Sequence, residues 1–162
     1  MLFRSHSPLV FDDPARFRRD GTEAEKQIMG ALGEGRTTTN STLDFLAGTA
    51  RNAADSSDFV RQATASYRTP VDYGIGGAGL QRVAALIASG MPTRVYYVVN
   101  QGGFDTHVQQ ADIHSRLLMY TADAVRAFME DIARIGRADD VALMMFTEFG
   151  RRVEEKDRKS VV

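Results

Sequence analysis

Two short stretches hold the residues whose types and spacing could do chemistry: Gly102-Gly103-Phe104-Asp105-Thr106-His107 and Thr147-Glu148-Phe149-Gly150-Arg151. Asp105 and His107 are one residue apart, so in extended backbone their side chains project to one side. A carboxylate and a neutral imidazole can share a divalent metal such as zinc or manganese. Glu148 offers a further oxygen ligand or a general base. Arg151 is a fork-shaped cation suited to phosphate or sulfate oxygens. Gly102 and Gly103 let the chain turn sharply ahead of the acid. A bare Asp-x-His also has a plainer reading, a loop held by an Asx turn, and spacing alone does not separate the two.

Other residues invite chemistry and are set aside. Gly74-Ile75-Gly76-Gly77-Ala78-Gly79 matches the dinucleotide pattern Gly-x-Gly-x-x-Gly. That fingerprint needs a strand before it and an acidic residue after the next strand. Pro70 and Asp72 occupy the place of the strand, and Asn100 follows the next apolar run. The stretch therefore reads as a flexible lead into a helix. His114 is read as a solvated first-turn histidine, with a supporting role behind the metal ligands as the alternative. Glu130-Asp131 and Glu154-Glu155-Lys156 read as exposed charge, and Met144 and Met145 as strand core. No serine stands in a nucleophile elbow, and no phosphate loop is present.

The elements that must position these residues follow from periodicity. Thr22 to Leu32 predicts a short helix ended by Gly33 and Gly35. Ser41 with Asp44 resembles a capping box, and the apolar spacing behind it predicts one long helix over Thr42–Tyr67, with a break near Ser56-Ser57 as an option and Pro70 as its stop. Leu80, Val83, Ala84 and Ile87 form the next helical stripe, closed by Gly90 and Pro92. Val95–Val99 and Val141–Phe146 are apolar at nearly every position, as in strands covered on both faces. Between them Ile113, Leu117, Thr121, Ala124, Phe128, Ile132 and Ile135 step at helical spacing up to Gly136. Strand, helix, strand over residues 94–147 predicts a βαβ unit, hence a mostly parallel sheet in an α/β fold. Both chemical loops would then lie on the carboxyl edge of that sheet, where ligands bind in open α/β folds.

The bulk properties limit partners. The chain of 162 residues carries a net charge of −1, which gives no electrostatic reason to expect nucleic acid or an anionic membrane. It has no cysteine, so disulfides, thiolate catalysis and cysteine-ligated zinc are excluded together. The apolar runs are far too short to span a bilayer, and no export signal opens the chain. Oligomeric state is not readable. Met1-Leu2-Phe3-Arg4-Ser5 and Asp157-Arg158-Lys159-Ser160-Val161-Val162 look like translated sequencing adapters. The expectation is a conceptual translation in which 1–5 and 157–162 are non-native and 6–156 form a single partial domain.

At the two loops the chain resembles the family called domain of unknown function 1501. Gly-Gly-Phe-Asp-Thr-His followed by Gln109 resembles one hallmark, and Phe146-Thr147-Glu148-Phe149-Gly150-Arg151-Arg152-Val153 the second. The helix between them and Pro92-Thr93-Arg94 ahead of the first run also fit. The family is similar to the alkaline phosphatase and sulfatase superfamily. The resemblance implies a partial three-layer sandwich and a metal-dependent hydrolase of phosphate or sulfate esters, acting on small-molecule or glycan substrates. It implies Asp105, His107 and Glu148 as metal ligands, Glu148 and Arg151 as catalytic groups, and an exported parent protein. The family pattern continues to a Gly-Thr-Asp-His-Gly segment that is missing here, and no nucleophile is evident, so this 162-residue piece is expected to be inactive. The competing expectation is a non-catalytic exported binding or scaffolding domain of the same fold.

Overall fold

The computed structural model describes residues 9–18, 21–33, 40–99, 103–106 and 110–147. Among the described residues four α-helices form: α1 (Glu23–Gly33), α2 (Ser41–Ser66), α3 (Ala78–Ala88) and α4 (Gln110–Arg134), with 3-10 turns at Pro14–Arg16 and Ala138–Asp140. They divide into two compact units, one of Met1–Tyr67 with Ser89–Thr93, the other of Arg68–Ala88 with Arg94–Val162.

In the first unit, α1 and the Pro14–Arg16 turn pack on α2. Asp13 starts that turn by accepting from the Ala15 N–H at 3.0 Å, and Pro14 sits where a missing N–H costs nothing. The long helix begins one residue earlier than expected. Its cap is Asn40, whose side-chain oxygen accepts from the Thr42 and Leu43 N–H groups at 3.0 and 3.4 Å; Ser41 is already inside the helix. No break occurs at Ser56-Ser57. Both serines are buried, and the Ser57 hydroxyl donates to the Phe17 carbonyl, so the polar pair ties the N-terminal stretch to α2 where it was expected to interrupt the helix.

In the second unit, α3 packs against α4. Each helix buries a short stripe, Val83–Leu86 on α3 and Ala124, Ala127, Phe128, Asp131 and Ile132 on α4. The alanines in both stripes let backbones approach closely. Gly136 closes α4 with φ +72°. The Arg137 N–H reaches the Ile132 carbonyl and the Gly136 N–H the Ala133 carbonyl, both at 2.9 Å, which is the Schellman arrangement that satisfies the last carbonyls.

The expected α/β fold does not form. Among the described residues there is no strand, and therefore no βαβ unit over 94–147, no parallel sheet and no alkaline-phosphatase-like sandwich. The two runs taken for strands lie open. Val95 is 81% and Met144 80% exposed, and Tyr97, Val99, Met145 and Phe146 are exposed as well. A strand buried on both faces needs a layer on each side and a hydrogen-bonded neighbour. The cover here is partial: Tyr96, Val141 and Leu143 are half-buried and Val98 lies against Gly79 of α3, while the other residues of the runs are exposed, so an unbroken apolar stretch was not enough to specify a strand. Met144 and Met145 are correspondingly surface residues, not core.

Gly77 gives this unit its sharpest local test. A Cβ placed there would meet the Tyr73 carbonyl oxygen at 2.3 Å and Tyr73 Cβ at 2.6 Å. The obstacle is largely backbone, which cannot swing aside. Gly77→Ala is expected to cost about 1–3 kcal/mol, the usual penalty for overpacking, read as a lowered urea midpoint. An unchanged midpoint would mean that the turn before α3 opens freely.

Candidate functional site

The loop ahead of α4 is the part of the expected site that the structure describes. Along 103–106 exposure alternates: Gly103 exposed, Phe104 half-buried, Asp105 exposed, Thr106 half-buried. Extended backbone sends successive side chains to opposite sides, so Asp105 faces out between two inward anchors. The first anchor has a visible partner. The Phe104 ring meets the His114 ring edge to face, with centroids 6.0 Å apart and planes at 84°, a favoured geometry for π systems. His114 stands just past the first turn of α4. It is half-buried, and not the solvated side chain expected from its position. The His114 Nδ1 and Thr106 Oγ1 atoms are both shielded from solvent without a hydrogen-bond partner.

His107, Glu148 and Arg151, with Gly102, Gln109, Phe149 and Gly150, lie outside the described residues. Of the expected ligand set the structure therefore places Asp105 alone. Among the described residues no three His, Asp or Glu side chains come together as a metal would need. Asp105 is an exposed carboxylate; by donor type, two carboxylates with one imidazole would suit a divalent ion such as zinc or manganese. The two runs that lead into the loops do approach one another. The Tyr97 and Phe146 rings lie 6.1 Å apart, which relates the segments through an aromatic contact in place of a sheet. Beside them the Tyr96 phenol is held above its usual range by burial, partly offset by the Arg137 charge.

A second constellation was missed in the sequence. Asp131, expected to be exposed, is fully buried. Its Oδ1 accepts from the Thr69 hydroxyl at 2.7 Å and from Arg134 Nε at 2.8 Å, and its Oδ2 accepts from the Tyr73 hydroxyl at 2.8 Å. Thr69 Oγ1 in turn accepts from the Val71 N–H at 3.1 Å. The carboxylate thus fastens the segment before α3 to the end of α4. The signal was available, because Asp131 falls seven residues after Ala124 and three after Phe128, squarely on the apolar stripe. The glycine-rich stretch is, as expected, the lead into α3. Asp72 Oδ1 accepts from the Gly74 N–H at 2.8 Å, an Asx turn.

Nothing on α2, α3 or α4 is long and apolar enough to cross a membrane among the described residues. Compared with known families, residues 15–159 match the one described as protein of unknown function (DUF1501). No similar curated protein and no similar solved structure is found.

Proposed function

From the premise that this chain belongs to the DUF1501 family, we propose that it carries part of the site of a metal-dependent hydrolase of phosphate or sulfate esters. The observation that supports this reading best is the outward Asp105 carboxylate, set between inward Phe104 and Thr106 in the Gly-Gly-Phe-Asp-Thr-His loop. Asp105, His107 and Glu148 would hold the ion, zinc or manganese by donor type. A bound divalent ion polarises an ester oxygen and stabilises negative charge as it develops. Arg151 would hold two oxygens of the phosphate or sulfate group through its paired N–H donors. Glu148, if not spent on the metal, would take a proton from the attacking group. Small-molecule and glycan esters both suit this chemistry, in an exported protein.

The product anions give a test that does not depend on turnover. Inorganic phosphate and sulfate are expected to bind the chain in the presence of zinc or manganese and not in its absence, and Arg151→Ala should weaken them about tenfold, the loss of one charge-assisted pair. Anion affinity that ignores both the metal and Arg151 would set this reading aside in favour of a non-catalytic binding domain. A family member assayed on aryl phosphate and aryl sulfate with and without metal would extend the test to catalysis.

A further inference from the structure

We infer that Val95, Tyr97, Val99, Met144 and Phe146 form one apolar face on which a second copy of this chain docks. Exposure alternates along the first run. Tyr96 is half-buried and Val98 lies against Gly79 of α3, whereas Val95, Tyr97 and Val99 are exposed. The second run starts the same way, with Val141 and Leu143 half-buried and Ala142 and Met144 exposed. In extended backbone successive side chains point to opposite sides, so each run turns one side toward its own unit and leaves one side open. The Tyr97 and Phe146 rings lie 6.1 Å apart, which joins the two open sides into one surface. A contiguous exposed apolar surface marks a contact site.

Charge identifies the occupant. No residue of 95–99 or 141–146 is charged. The rim carries both signs, with Arg94 just ahead of one run and Asp139 just ahead of the other, both exposed. A surface with an uncharged centre and a rim of both signs is complementary to itself, because a two-fold rotation can set Arg94 of one copy against Asp139 of the other. A strongly charged partner would find no opposing field there. The net charge of −1 leaves little repulsion between copies. A self-complementary contact closes on itself, so it yields a dimer and not an open string of copies.

Sedimentation equilibrium of the intact chain over a range of concentrations is the test. Wild type is expected to pass from monomer to dimer and no further. Tyr97→Lys puts a charge at the centre of the face and should weaken the dimer at least about tenfold, as loss of an aromatic anchor does. Val95→Lys should act in the same direction, and it decides the matter if Tyr97→Lys lowers the urea midpoint of the monomer. Phe45→Lys on α2 is the control. Phe45 is 71% exposed against 72% for Tyr97 but belongs to the other unit, so the dimer should survive its replacement. A wild type that stays monomeric throughout, or that grows past the dimer, would overturn the inference. So would a dimer that Tyr97→Lys and Val95→Lys leave intact, or one that Phe45→Lys disrupts equally.

Discussion

Replacing Asp131 with alanine is expected to destabilise the chain by about 3 kcal/mol. The Tyr73 hydroxyl is buried and would lose the acceptor it reaches at 2.8 Å. A buried donor left unsatisfied costs about 1–3 kcal/mol, and the part-buried Thr69 hydroxyl adds to this. Arg134 contributes less, because its side chain is 38% exposed and can turn to water. Tyr73→Phe removes one donor and leaves the carboxylate its other two, so it should cost about 1 kcal/mol, the net value of one hydrogen bond. Urea unfolding of both variants and their double mutant would show strong coupling, since residues in one hydrogen-bond network do not add. An Asp131→Ala variant within about 0.5 kcal/mol of wild type, as for a surface residue, would mean that the carboxylate is solvated in solution.

Ile132→Ala is expected to be at least as damaging. Ile132 is 0% exposed, and its carbonyl also receives the Arg137 N–H that closes α4. Truncating a fully buried isoleucine loses transfer energy and leaves a cavity, together about 2–5 kcal/mol. Ile132→Val keeps most of the packing and should cost about 0.5–1.5 kcal/mol. Ile28→Ala on α1 is the control. Ile28 is 60% exposed, so its loss should stay within about 0.5 kcal/mol. Equal effects at 28 and 132 would contradict the burial pattern of α4.

The helices were legible because each carried two independent signals. For α4 these were a three-to-four stripe and Gly136 at its end. For α2 they were the spacing from Leu43 to Tyr67 and Pro70 beyond it, although the cap fell on Asn40 and not on Ser41. The supposed strands carried one signal only. Val95–Val99 and Val141–Phe146 are apolar throughout, but a run without period says that burial would be favourable and not what would cover it. Helix packing is local, whereas a parallel sheet needs partners distant in sequence, and no such partner was named by the residues themselves. Asp131 failed for another reason. Its charge was weighed against its immediate neighbour Glu130 and not against the stripe it occupies, and buried carboxylates are rare enough that exposure is the usual guess. At the loop, alternation put Asp105 and His107 on one side from sequence alone, while the outward direction of Asp105 and the partnership of Phe104 with His114 needed the fold.

Metal binding by the intact chain tests most directly whether the Gly-Gly-Phe-Asp-Thr-His loop belongs to a metal site. Calorimetric titration with zinc and with manganese is predicted to give one ion per chain. Asp105→Asn should weaken it by more than the roughly 10–100-fold that loss of a supporting partner costs, while leaving the urea midpoint unchanged because Asp105 is exposed. No binding of either ion by the wild-type chain, or equal binding by wild type and Asp105→Asn, would contradict a metal site there.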